Sequence, residues 1–401
     1  MKRTVRSFVP FIMLIWLAAV YAEELKFETD IKLLDLSLLP PVVNTSPGPE
    51  YASETRLWQG IPGIERTAGG RLWAVWYSGG KGEGPDNYVV VIISDDDGIT
   101  WSKPRLVIDP PGKVRAYDPV LWHDPIGRLW LFWAQSYEWF DGRSGTWSIC
   151  CDAPDSENPS WTKPRRLQNG IMMNKPNVLT TGEWILPTAV WNRDPKRPEL
   201  DSERFSNVTV STDQGKTWLR RGGADVPDRS FDEHMFIERR DGSLWMLVRT
   251  YYGIGESVSE DRGKTWIPGK MSMFPGPNAR FFIRRLNSGR ILLVNHHNFM
   301  SSELKSMRTN LTAFLSDDDG STWKGGLLLD GRMDVSYPDG VEAEDGRIYV
   351  IYDRSRHGEK EILMAVFREI DVLEGRFVSD DARLQVLVNK AGMVPDTTRR
   401  E

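Results

Sequence analysis

Five stretches of the chain carry side chains able to do chemistry. FDEHMFIERRDGSLWMLVRT, residues 231–250, holds Glu233 and Arg249 on either side of a strand–turn–strand pattern. Arg308 opens RTNLTAFLSDDDGSTW, and MDVSYPDGVEAEDGRIYVIYD contains Tyr337 and Asp339. The Gly-rich run YSGGKGEGPDNYVVVIIS supplies Lys81, Glu83 and Asp86, while VIYDRSRHGEK supplies Asp353, Arg354 and Arg356. Carboxylates can move protons, a phenol can attack once a base accepts its proton, and guanidiniums grip oxyanions. Each group also has an ordinary structural reading as a surface acid, a strand-end arginine or a core tyrosine. The set gains meaning only if one fold brings its members together.

A repeat supplies that fold. SDDDGITW ends at Trp101, STDQGKTW at Trp218, SEDRGKTW at Trp266 and SDDDGSTW at Trp323, all fitting Ser-x-Asp-x-Gly-x-Thr-Trp. A worn copy, CDAPDSENPSWTKP, places Trp161 before Thr-Lys-Pro. The tryptophans follow one another at about 50 to 60 residues, the length of a four-stranded propeller blade. In each box the Asp can cap turn amides and the Gly can take a positive φ, so the boxes speak about folding rather than chemistry. Between them, Gly turns lead into apolar strands such as GGRLWAVW, IGRLWLFW and DGRIYVIY. The pattern predicts an all-β, six-bladed propeller occupying residues 23–401 as a single domain. Residues 27–50 are expected to supply a ring-closing strand, and the segment after Ile370 a short C-terminal cap.

Composition narrows the function classes. The net charge of −5 gives no general basic field for nucleic acid, though a few converging arginines could still bind an acidic ligand. Lys2, Arg3 and Arg6 precede an apolar run from Phe8 to Ala19 and then Val20-Tyr21-Ala22. This is the pattern of a signal peptide over residues 1–22, too short for a membrane span, and implies a secreted or periplasmic mature chain. The only cysteines, Cys150 and Cys151, are adjacent and read as core thiols. No metal motif or organic cofactor is implied. Asn44, Asn207 and Asn310 stand in glycosylation sequons.

The boxes and the segments between them resemble the sialidase superfamily over nearly all of the mature chain. That resemblance implies roles residue by residue. Tyr337 matches the nucleophile and Glu233 the base that activates it, while Arg249 and Arg308 match two arginines that clamp a sugar carboxylate. Asp86 takes the general-acid position in the Gly-rich loop, with Glu83 as the alternative. A neutral phenol suits a sugar bearing a carboxylate on its anomeric carbon, because a charged nucleophile would be repelled.

One position departs from the family. Its Arg-Ile-Pro reads Gly60-Ile61-Pro62 here, so the first clamp arginine is missing. Arg354, or Lys81 from the Gly-rich loop, is the expected replacement, and Asp353 stands where the family holds that first arginine. Trp139, Trp191, Lys175, Arg193, His296 and His297 could line the cup. The resemblance thus implies a retaining exo-glycosidase acting on a glycan with a terminal acidic sugar. Two alternatives stay open. One is another glycosidase or a lyase on a uronate-containing glycan, to which VNHHNF could lend a histidine base. The other is a propeller that binds glycan without cutting it.

Overall fold

The computed structural model describes residues 36–139, 143, 145–192, 198–297 and 306–392. The proposed signal peptide and Arg193 lie outside the described residues. Strands follow one another as antiparallel neighbours in six separate sheets, each starting with its innermost strand. The inner strands are Gln59–Arg66, Val114–His123, Asn177–Val178, Met235–Glu238, Phe282–Arg285 and Val335–Glu342, for blades 1 to 6 in order. This is the six-bladed propeller that the repeat predicts.

The boxes behave as local locks. In blade 1, Ser94 Oγ donates to Asp96 at 2.8 Å, and the Gly98 amide donates to Ser94 Oγ at 2.8 Å. Asp96 also accepts from the Thr100 amide at 2.9 Å. The same set recurs at Asp213, Asp261 and Asp318. In all four boxes the threonine hydroxyl bond, followed by the threonine amide, holds the carboxyl down at about 2. Box tryptophans plug the seams. Trp161 meets Trp73 of blade 1 edge-on at 5.8 Å, and Trp323 meets Phe274 of blade 4 at 5.3 Å.

Ring closure differs from the expectation. Val43–Asn44 pairs with Leu106–Ile108 as a fifth strand on the outer edge of blade 1 and does not complete blade 6. Blades 1 and 6 instead join face to face. Asp97 of the blade 1 box accepts from Arg347, Tyr349 and Arg383. The Ile64 amide donates to buried Asp339 at 2.9 Å. The segment expected as a cap forms a helix, Glu369–Glu374, and then Arg383–Lys390, the outermost strand of blade 6. Among the described residues, no helix is long and apolar enough to cross a membrane.

Antiparallel alternation fixes which end can host a site. The boxes join the third and fourth strands of a blade. Inner strands begin, and second strands end, at the opposite rim. Tyr337 and Glu233 stand at or just before the start of inner strands, and Arg249 near the end of a second strand, so all three share the rim away from the boxes.

Candidate active site

At that rim a cavity of about 180 Å³, open to solvent, is lined by residues from all six blades and their loops. Tyr337, Glu233, Arg249 and Arg308, from blades 4, 5 and 6 and the loops between them, line it together. The Tyr337 hydroxyl donates to Glu233 Oε1 at 3.3 Å and accepts from Arg249 Nη1 at 3.1 Å. Arg249 also pairs directly with Glu233 Oε1, whereas buried Glu233 Oε2 has no hydrogen-bond partner. Burial, reinforced by the charge of Glu233, raises the Tyr337 pKa above the ordinary phenol value, and the three nearby arginines oppose that rise. The phenol therefore keeps its proton at neutral pH, with an acceptor already in contact.

The arginines are held from below. Asn278 accepts from Arg249 Nε at 2.5 Å through its side chain and from Arg308 Nη2 at 2.9 Å through its carbonyl. Arg308 lies 5.4 Å from the centre of the Tyr337 ring. It is half-buried, desolvation lowers its pKa, and no carboxylate among the described residues pairs with it.

Backbone strain concentrates here. Phe231, Asp232 and Glu233 have φ of 60°, 56° and 43°, which turns the Glu233 carboxylate inward ahead of its strand. Ile61, Asp118 and Tyr337 have φ of 59°, 49° and 56°, each at an inner-strand bulge and each followed by proline. Proline pushes its predecessor towards extended backbone, so a left-handed conformation there costs about 1–3 kcal/mol and aims a side chain off the strand's alternation. All three residues line the cavity.

Several expected positions lie elsewhere. Asp86 is exposed beside the Gly80 turn and does not line the cavity. Asn87 fixes this loop by donating to the carbonyls of Gly79 at 3.0 Å and Gly82 at 2.9 Å, and the cavity-lining acid is Glu83. A Cβ on Gly79, at φ 98°, would strike the Asp86 carbonyl at 2.2 Å, so that turn requires glycine. Lys81 is exposed and does not line the cavity. Arg354 turns away and pairs with Glu361 at 2.9 Å. Lys175 is a structural bolt, bonded to the Leu121 carbonyl at 2.8 Å and to Glu65 at 3.0 Å. His296 is buried against the Val335 carbonyl, and neither it nor His297 reaches the cavity. Trp139 and Trp191 do line it. Asn207 is buried, and its amide and carbonyl are both spent on protein partners.

The sequence reading passed over two groups. Arg115 lines the cavity, buried 4.1 Å from the Tyr117 ring centre. Asp118 is almost fully buried, and burial, then the charge of Glu83, raises its carboxyl pKa well above the usual range. The shared bulge register, Ile-Pro, Asp-Pro and Tyr-Pro in three inner strands, is the signal that would have found Asp118.

A family model described as a BNR repeat-like domain matches residues 70–350. No curated protein sequence matches the chain. Among solved structures, a Hadza microbial sialidase is similar at 18% identity and TM-score 0.62, covering 80% of this chain and 67% of its own. An intramolecular trans-sialidase from Ruminococcus gnavus, in complex with oseltamivir carboxylate, is similar at 14% identity and TM-score 0.59, over 82% and 98%. An α-L-arabinanase from Penicillium chrysogenum, complexed with arabinobiose, is similar at 16% identity and TM-score 0.54, over 84% and 99%. At such identities the likeness is one of fold.

Proposed function

Because the chain belongs to the BNR repeat-like family of sialidase-type propellers, we propose that it is a retaining exo-glycosidase removing a terminal acidic sugar from glycans. The observation that carries the reading is one cluster: a protonated tyrosine donating to a buried glutamate, beside an arginine that pairs with no carboxylate among the described residues. The chemistry follows from its geometry. Arg308 and Arg249 take the sugar carboxylate and set the anomeric carbon over Tyr337. The phenol oxygen bonds to that carbon while its proton passes to Glu233. The glycosidic oxygen leaves with a proton from an acid on the Gly-rich loop, and we assign this role to Glu83, since it lines the cavity and Asp86 does not. Water then attacks the same carbon, giving its proton to the Glu83 carboxylate, and Tyr337 recovers its own proton from Glu233. Two displacements leave the anomeric configuration retained. The charged and apolar pattern of residues 1–22 supports export to where such glycans are met. Turnover of an aryl α-glycoside of sialic acid tests the reading, with NMR of the first-formed sugar. A retained anomer is expected. An inverted anomer, or an unsaturated product absorbing in the ultraviolet, refutes it.

A further inference from the structure

Gly60 leaves a space that the described structure fills from another blade. A Cβ built on Gly60 would lie 2.3 Å from Arg356 Cδ, 2.8 Å from its Cγ and 3.0 Å from Asp353 Oδ2. The alkyl stem of Arg356 thus runs through the volume a side chain at position 60 would need. Its guanidinium reaches the cavity, 5.0 Å from the Tyr337 ring centre. Asp353, fully buried, anchors the stem end. It accepts from the Ile61 amide at 2.8 Å and from Ser336 at 2.7 Å, and faces Arg356 Nε at 3.8 Å. On its outer side Arg356 Nη1 donates to Glu83 at 3.0 Å, and about a third of that glutamate side chain is open to solvent.

We propose that Arg356 is a substrate-binding, specificity-determining arginine. It supplies a third cation for the sugar carboxylate from the blade 6 loop, and Gly60 is the residue that makes room for it. The inference rests on the acidic-sugar reading above. Arg249 is already matched by Glu233, whereas Arg308 and Arg356 both approach the Tyr337 ring, and Arg356 is flanked by buried Asp353 and by the more exposed Glu83. An arriving carboxylate competes with Glu83 for Arg356.

Gly60 and Arg356 must then act as one unit, and a double-mutant cycle reads this directly. The probes are N-acetylneuraminic acid and its neutral methyl ester, bound calorimetrically to wild type, Arg356→Gln, Gly60→Ala and the double variant. Arg356→Gln should weaken binding of the acid by about tenfold or more, the scale of a charge-assisted hydrogen bond, and leave the ester little changed. Gly60→Ala should cause a similar loss by displacing the arginine stem, and should add little once Arg356 is gone. Arg356→Lys, which keeps the charge, should recover part of the affinity and serves as a folding control alongside the melting temperatures. Arg356→Gln binding the acid as wild type does, or fully additive losses, would overturn the inference while leaving the acidic-sugar reading intact. Wild type binding neither this acid nor glucuronic acid would overturn both.

Discussion

Replacing Tyr337 with phenylalanine removes one oxygen atom and separates chemistry from stability. The ring stays in place, flanked by Arg308 at 5.4 Å and Arg356 at 5.0 Å. Two hydrogen bonds disappear, at 3.1 and 3.3 Å, but Arg249 and Glu233 keep each other as partners, so no buried charge is orphaned. The net stability cost is therefore about 1 kcal/mol, one ordinary hydrogen bond. In a domain of this size that lowers the melting temperature by about 2 °C or less. Turnover should respond on another scale. Without the phenol oxygen no covalent sugar can form, and water must reach the anomeric carbon unaided. A loss of about 10³ or more in kcat, roughly 4 kcal/mol of barrier, is expected. The assay is chromophore release from an aryl glycoside of the acidic sugar, with thermal melts on the same preparations. A variant within about tenfold of wild-type kcat would refute the nucleophile assignment. A variant that melted far below wild type would refute the stability argument instead.

Three further outcomes are expected. Arg308→Met removes a half-buried cation that pairs with no carboxylate among the described residues, so it should leave the melting temperature unchanged or raise it, while weakening acidic-sugar binding by about tenfold or more. Equal weakening of a neutral analogue would contradict this. The raised carboxyl of Asp118 contributes stability that is present below the ordinary carboxylate value and is lost as pH climbs through its folded value. The stability of Asp118→Asn relative to wild type should therefore grow from pH 5 to 8, and a constant difference between the two melting curves would count against the assignment. The box aspartates have the opposite sign. Held at about 2, each contributes stability above the ordinary carboxylate value that is lost as pH falls towards 2. Asp261→Asn should be less stable than wild type at pH 7, with the gap closing near pH 2 in circular-dichroism melts.

The fold was legible because its repeat is a local device. Ser, Asp, Gly and Thr in each box bond almost wholly within their own turn, so spacing along the chain suffices to count blades. Ring closure was harder to read. It depends on contacts across nearly the whole chain, such as Arg347 and Arg383 on Asp97, which no periodicity announces. The sequence from Asp371 to Gly392 looked like a cap because its helix and strand carry no box. Its Arg383–Lys390 strand nonetheless pairs with Glu361–Phe367 to complete blade 6.

The site divides along the same line. Tyr337, Glu233, Arg249 and Arg308 match set places in the segments that resemble the sialidase superfamily, so it was the resemblance that implied their convergence, and they line one cavity. Asp86 against Glu83, and Arg354 against Arg356, are choices between neighbours on a loop. A shift of two or three residues there decides which side chain faces the cavity. For the first pair Asn87 decides, pinning Gly79 and Gly82 so that Glu83 reaches the cavity. For the second, strand register decides. Arg354 ends its strand opposite Glu361 and is claimed by it, while Arg356, two residues on, is released from pairing and turns back over Gly60. Gly60 and Arg356, almost 300 residues apart in the chain, thus meet in space, where the arginine stem fills the volume that a side chain at position 60 would need.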